Sequence, residues 1–296
     1  MTNPYPDFLT QRISAPPYVL LDDQPYAGDN DPLSFEEIAR DLSQLIRGSR
    51  SSTPLVLGIE AGWGAGKSTL MQRLARVLET DKAITTVWFN AWTAGQGDAL
   101  EGLVKSVLDR LDRRILRRAA RNERLLSWAR ALGLVAADWL KLGSLVNTLW
   151  REVSIDPKAR NEMRDLVGKS MHEWANVRGE LGPERLLVVF VDDLDRCGPV
   201  NVLQVFEAIK LYLDAPGLVF VVGYDRDILS DAILGAKQYS DAVASHQYLE
   251  KIVQIVYRLP SVSDDSAHRL LTLYLENAGT SALFDSSARA LTRTVQ

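Results

Sequence analysis

The sequence predicts an α/β protein built on a parallel, doubly wound sheet. Five short apolar runs, at 55–59, 84–89, 186–191, 218–222 and 252–257, have the length and composition of buried strands. Helically patterned segments separate them, and strands that alternate with helices pair in parallel. The first run ends in a glycine-rich turn and the third in two carboxylates. Both therefore lie at strand C-termini, where an open α/β sheet keeps its ligands.

Length and composition set bounds on the rest. A chain of 296 residues buries a large core, and one α/β domain with insertions suits it better than two equal domains. The net charge of −4 gives no global attraction to nucleic acid, so anion binding must be local. Cys197 is the only cysteine, which excludes an internal disulfide and suits a reducing compartment. His172, His246 and His268 have no metal-ligand spacing. The opening MTNPYPDFLTQ lacks the basic and apolar regions of a secretion signal, so a cytoplasmic location is expected.

Taken in order, residues 1–32 are rich in Pro, Asp, Asn and Tyr and read as an extended arm. The nucleotide-binding domain is expected over 33–262. Ser34-Phe35-Glu36-Glu37 has the pattern of a capping box opening a helix, with Ile38, Leu42 and Ile46 on one face. Residues 48–54 form a loop into the first strand (55–59), and a helix follows at 67–79. The second strand (84–89) ends in Asn90-Ala91-Trp92. A helical insertion is expected over about 98–180, then the third strand (186–191), a helix at 199–214, the fourth strand (218–222) and a short helix at 227–234. The fifth strand (252–257) is closed by Leu259-Pro260. Residues 263–296 read as a helical C-terminal region, taken to be incomplete, with helices at 267–277 and from about 285.

The turn after the first strand reads Ala61-Gly62-Trp63-Gly64-Ala65-Gly66-Lys67-Ser68-Thr69. Strand, glycine-rich loop and helix in that order form a P-loop, or Walker A motif. Small residues let successive N–H groups turn inward around phosphate oxygens, and the helix points its positive end at the same anion. Residues 62–69 are the predicted nucleotide cradle. Lys67 would reach the β- and γ-phosphates, and the Ser68 hydroxyl would hold Mg²⁺. Ala61 stands where the motif has its leading glycine, and Gly62 beside it is expected to absorb any strained turn.

The third strand delivers Asp192 and Asp193. A Mg²⁺-nucleotide site needs one carboxylate for the metal's water shell and a second to position attacking water. Asp192 suits the first role, and Asp193, with Lys67, is the predicted catalytic pair. Arg196 either pairs with a carboxylate or meets phosphate. At the end of the fourth strand, Asp225 is either a γ-phosphate sensor or a cap on the next helix. No NKxD guanine reader occurs, so ATP is expected rather than GTP.

These residues carry a family resemblance. AGWGAGKST, FNAW at 89–92, VVFVDDLDRC at 188–197, FEAIKLYLDAPGLVFVVGYDRDIL at 206–229 and YLEKIVQIVYRLP at 248–260 together resemble the KAP family of P-loop NTPases. The resemblance implies a strand inserted between the two Walker strands, giving sheet order 5-1-4-3-2. It also implies ATP-driven switching or remodelling, linked in prokaryotes often to phage exclusion and in animals to membrane signalling scaffolds. Many members carry membrane-spanning helices between the Walker strands. Ala61 departs from the family pattern, and the chain ends where a longer helical region is usual.

In the insertion, Leu125, Trp128, Leu132, Val135, Trp139, Leu142, Val146, Leu149 and Trp150 gather on one side of a helix, and an arginine face precedes them at 110–124. A single membrane crossing would put Lys67 and Asp192 on opposite sides of the bilayer. Asp138 and Lys141 would each cost about 2.5–3.5 kcal/mol at its centre. Spanning is therefore not expected. Packing on the core or a partner, lying on a membrane surface, and binding nucleic acid remain, in that order of preference. The sequence thus predicts an ATPase that couples its cycle to a protein partner or to homo-oligomer contacts, with peripheral membrane contact through 98–150 as an added reading. Its rivals are a nucleotide-gated scaffold or membrane-peripheral signalling protein with little turnover and, more weakly, a small-molecule kinase.

Overall fold

Five parallel strands form the sheet, in the order β2-β3-β4-β1-β5. They are β1 (Leu55–Glu60), β2 (Ile84–Asn90), β3 (Leu186–Asp192), β4 (Leu218–Tyr224) and β5 (Ile255–Arg258). Read from the other edge this is 5-1-4-3-2, the order implied by the resemblance. The coordinates are a computed structural model that describes residues 31, 33–94, 99–111, 157–176, 183–212, 214–235, 242–260 and 264–277, with some helical side chains left out. Expectations for the arm at 1–30, the arginine and tryptophan segments at 112–150 and the helix from 285 lie outside these residues.

The helices are α1 (Phe35–Gly48), α2 (Lys67–Glu79), α3 (Ala91–Ala94), α4 (Ala99–Leu108), α5 (Pro157–Trp174), α6 (Pro199–Glu207), α7 (Arg226–Gly235), α8 (Ala242–Ile252) and α9 (Asp264–Asn277). The unit Phe35–Pro260 contains everything from α1 to β5; α9 belongs to a second unit, made of 1–34 and 261–296.

Strand residues alternate between two buried faces. Val56, Val87, Phe89, Leu187, Val189, Val191, Phe220 and Val222 share one core cluster with residues of α4, α5, α6, α7 and α8. Leu57, Ile59, Val188, Phe190, Val219 and Val221 fall on the opposite face. That is where α2 lies, because Met71 packs against Gly223, the register partner of Ile59. The central strands β3 and β4 are buried along their whole length, which explains their unbroken apolar runs. The described start of the insertion also joins this core. Leu103, Val104, Val107 and Leu108 of α4 are buried, with Leu111 just beyond.

Three details differ from the sequence reading. Ser34 has left-handed backbone (φ 56°), where a capping serine takes an extended one. The fifth strand starts at Ile255, because Ile252 and Val253 are buried at the end of α8. There the Val253 N–H donates to the Leu249 carbonyl at 2.8 Å. The Gln254 side chain then accepts the Val56 N–H at 2.5 Å and donates to the Pro54 carbonyl at 3.3 Å. A glutamine side chain thereby does the work of ladder bonds at the base of β1. The helix expected over 199–214 is α-helical to Glu207 and widens to a π-turn over Ala208–Tyr212.

Candidate nucleotide site

The loop between β1 and α2 takes left-handed backbone at Gly64 (φ 75°) and Gly66 (φ 93°). Glycine is the residue that enters this region without steric cost. Ala61 and Gly62 are not among the positive-φ residues, so alanine in the leading position carries no backbone strain. Ala61 is tied in place instead, its N–H donating to the Tyr224 carbonyl at 3.1 Å. The Phe35 ring lies against Gly66, where a Cβ would come within 2.8 Å of it. Trp63 stands at the loop tip, 70% exposed.

Lys67 opens α2 and is buried. Its Nζ donates to the carbonyls of Ala61 (3.0 Å) and Gly62 (3.2 Å) and pairs with Asp195 Oδ2 at 3.0 Å. The Ser68 Oγ donates to Asp192 Oδ1 at 3.0 Å. The strand register accounts for that meeting: β4 lies between β1 and β3, which brings the start of α2 over the end of β3. Asp192 is buried, and burial is the main reason its carboxyl lies above the usual carboxylate range. The hydrogen bonds from Ser68 and from the Asp193 N–H oppose that rise, and the charges of Asp193 and Asp195 add to it.

Asp193 has left-handed backbone (φ 56°), an uncommon state for a non-glycine residue. Both its oxygens are engaged: Oδ2 accepts from Asn90 Nδ2 at 2.7 Å, and Oδ1 pairs with Arg196 Nε at 2.8 Å. Arg196 also lies over the Trp92 ring, 5.8 Å from its centroid, within cation–π range. Arg196 thus pairs with a carboxylate. Asp225 Oδ1 accepts from the N–H groups of Asp227 (3.0 Å) and Ile228 (3.4 Å), capping α7. Its Oδ2 faces Gly62, 3.8 Å from where a Cβ would be.

The structure therefore gathers Lys67, Ser68, Asp192 and Asp193 at one end of the sheet, with Asp225 beside the loop. Two neighbours were not assigned roles from the sequence, Asn90 and Asp195. Asn90 ends β2, and the strand order puts that end next to Asp193. Asp195 is the third acid of Asp192-Asp193-Leu194-Asp195, and a short 3₁₀ turn (Leu194–Arg196) folds it back toward Lys67. The residues fit a nucleotide with Mg²⁺. Positive-φ glycines shape the loop, a buried ammonium sits behind it, and a hydroxyl–carboxylate pair offers hard oxygen donors.

Fold and site together define a P-loop NTPase domain. A family model, the KAP family P-loop domain, matches residues 35–294, and the chain belongs to that family. It is similar to the phage T7 exclusion protein of Escherichia coli (strain K12), 25% identical over 261 residues, which are 78% of this chain and 33% of that relative. The chain thus spans about a third of that relative's length. Solved structures of the Aeropyrum pernix ORC2 protein are also similar. The ADP form has 12% identity and a TM-score of 0.43, covering 86% of this chain and 55% of that one. The ADPNP-ADP complexes have 14% identity and a TM-score of 0.39, covering 81% and 51%.

Proposed function

We propose that this domain binds Mg²⁺-ATP, hydrolyses it, and uses the cycle to change contacts with a protein partner or a second copy, in a role related to phage exclusion. The observation that carries the reading is the Ser68–Asp192 contact beside buried Lys67. A hydroxyl–carboxylate pair and a buried ammonium converge there behind a glycine loop, the donor set that a metal-bound phosphate needs. The phage-exclusion element comes from the family resemblance and the relative, and not from the site.

In this reading the amides of 62–69 and the Lys67 ammonium hold the phosphates, and Ser68 with Asp192 holds the metal. When bound, Mg²⁺ supplies charge neutralisation on the phosphate oxygens. Asp193 orients the attacking water and takes its proton on a carboxylate oxygen. Asn90 or Arg196 must first release that oxygen, since both are occupied. The same occupancy favours the second reading, a nucleotide-gated scaffold in which turnover is slight.

The test is nucleotide binding by calorimetry with phosphate release measured in parallel. Wild type should bind ATP in a Mg²⁺-dependent way, and Lys67→Ala should lose most of that affinity. Asp193→Asn should keep ATP and lose hydrolysis, whereas Asp192→Asn should weaken the Mg²⁺ dependence. Wild-type turnover by Asp193→Asn would remove Asp193 from the mechanism. Binding with no steady release in wild type would favour the scaffold.

A further inference from the structure

In this structure the Lys67 ammonium donates two hydrogen bonds, to the loop carbonyls of Ala61 and Gly62, and forms an ion pair with Asp195 Oδ2 at 3.0 Å. That Asp195 oxygen is buried and accepts no hydrogen bond, so charge pairing with Lys67 is what holds it. The Lys67 and Asp195 side chains are only 9% and 5% exposed. Water therefore screens this pair poorly, and a second anion brought to Lys67 would meet Asp195 at close range in a low-dielectric setting.

We infer that Asp195 is an internal competitor of the γ-phosphate for Lys67, which must yield when ATP binds and so makes the site distinguish ATP from ADP. The inference rests on the nucleotide reading above and adds a specificity-determining residue to it. Geometry favours Asp195 over the other acids for this task. Asp192 is held by Ser68, Asp193 by Asn90 and Arg196, and Asp225 by the first turn of α7. Of these four acids, Asp195 is the one that pairs with the P-loop lysine.

The segment carrying Asp195 is short and is anchored by fully buried Leu194. It is one 3₁₀ turn, closed by single bonds from the Arg196 N–H to the Asp193 carbonyl (3.3 Å) and from the Cys197 N–H to the Leu194 carbonyl (3.2 Å). Its next residue, Arg196, reaches both Asp193 and the exposed Trp92. Asp195 is therefore one residue from the arginine that occupies the predicted base and lies over Trp92, the route by which its release would be read out. A conformation that must open before binding lowers apparent affinity by the fraction already open. ADP brings only its β-phosphate to Lys67 and so displaces Asp195 less than ATP does.

Asp195→Asn is the direct test, because the amide keeps the shape and removes the charge. Calorimetry should show ATP bound on the order of tenfold more tightly than in wild type, with ADP affinity changed much less. Asp195→Glu, which restores the charge, should return the ATP-to-ADP ratio toward the wild-type value. Weaker ATP binding by Asp195→Asn, or equal gains for ATP and ADP, would overturn the inference; the first would mean Asp195 steadies Lys67 for phosphate instead. A measurement that needs no Asp195 variant is tryptophan emission, taken as the difference between wild type and Trp92→Phe. ATP should change the Trp92 contribution more than ADP does, and an equal response to both would also count against it. Failure of wild type to bind ATP at all would defeat the nucleotide reading itself, a distinguishable result.

Discussion

In the proposed function Lys67 faces conflicting demands, from the phosphates it would hold and from Asp195, the acid it holds in this structure. The sequence suggests that Lys67→Ala spares the fold, since a phosphate-facing lysine adds little to a core. The pairing with Asp195 changes that expectation, because alanine leaves a buried carboxylate alone. Removing one partner of such a pair costs about 3–5 kcal/mol. Denaturant unfolding of the nucleotide-free protein should show a loss of that order for Lys67→Ala, largely recovered in Lys67→Ala/Asp195→Asn. The same turn shapes Cys197. Burial first, then the charges of Asp193 and Asp195, push its thiol from an ordinary 9.0 up to about 11. An acid whose pKa is raised on folding binds more protons folded than unfolded between the two values. Its contribution to stability is therefore full below pH 9 and lost as pH rises toward 11. Alkylation of Cys197, the sole cysteine, should accordingly be slow in the folded protein at pH 8–9, with a midpoint near pH 11. A folded-state midpoint near 9 would show that the turn does not shield it.

Among elements, β1 and β4 carry the site between them. Gly58 in β1 lies under the Tyr224 ring and Val253, where a Cβ would come within 2.8 Å of Tyr224 Cε1 and 2.9 Å of Val253 Cγ1. Neither neighbour is a flexible chain end, and Tyr224 is buried with its hydroxyl pushed up to about 12, mainly by that burial. Gly58→Ala should overpack this layer and cost about 1–3 kcal/mol in denaturant unfolding. Tyr224 also accepts the Ala61 N–H on its carbonyl, so the same substitution should weaken ATP binding by disturbing the loop's first anchor. Unchanged stability would mean that α8 can slide away from the sheet.

For the whole molecule, the reading under test is a docking surface expected from the sequence. No described helix is long and apolar enough to cross a membrane, and the apolar and arginine-rich segment at 112–150 lies outside that statement. For that segment the prediction comes from the sequence. Charge reversal at Arg113, Arg117 and Arg121 should reduce docking to a partner or an anionic surface while leaving ATP affinity unchanged. Carbonate washing of cell membranes should release the protein. Retention after washing, with 125–150 protected from protease, would show a membrane insertion in place of a docking surface.

The elements, and the strand ends that carry the candidate site, were legible in the residues alone. Buried parallel strands must be continuous apolar runs, and a phosphate loop must be glycine-rich between strand and helix, so both leave a mark at short range. Residues 67–79 were legible as α2 to the residue, and β1, β3 and β4 were legible to within two residues of their ends. Strand order came from the family resemblance, since periodicity carries no information on which strands are neighbours. Only the tertiary structure decided what meets across the sheet. Asn90 reaches Asp193 because β2 and β3 run in register. Gln254 replaces a ladder bond because α8 ends where β5 was expected. The role of Asp195 was hidden for the same reason: a third acid after a strand reads as a surface charge. It becomes the partner of Lys67 only when a single turn folds it back into a site too dry to leave either charge unpaired.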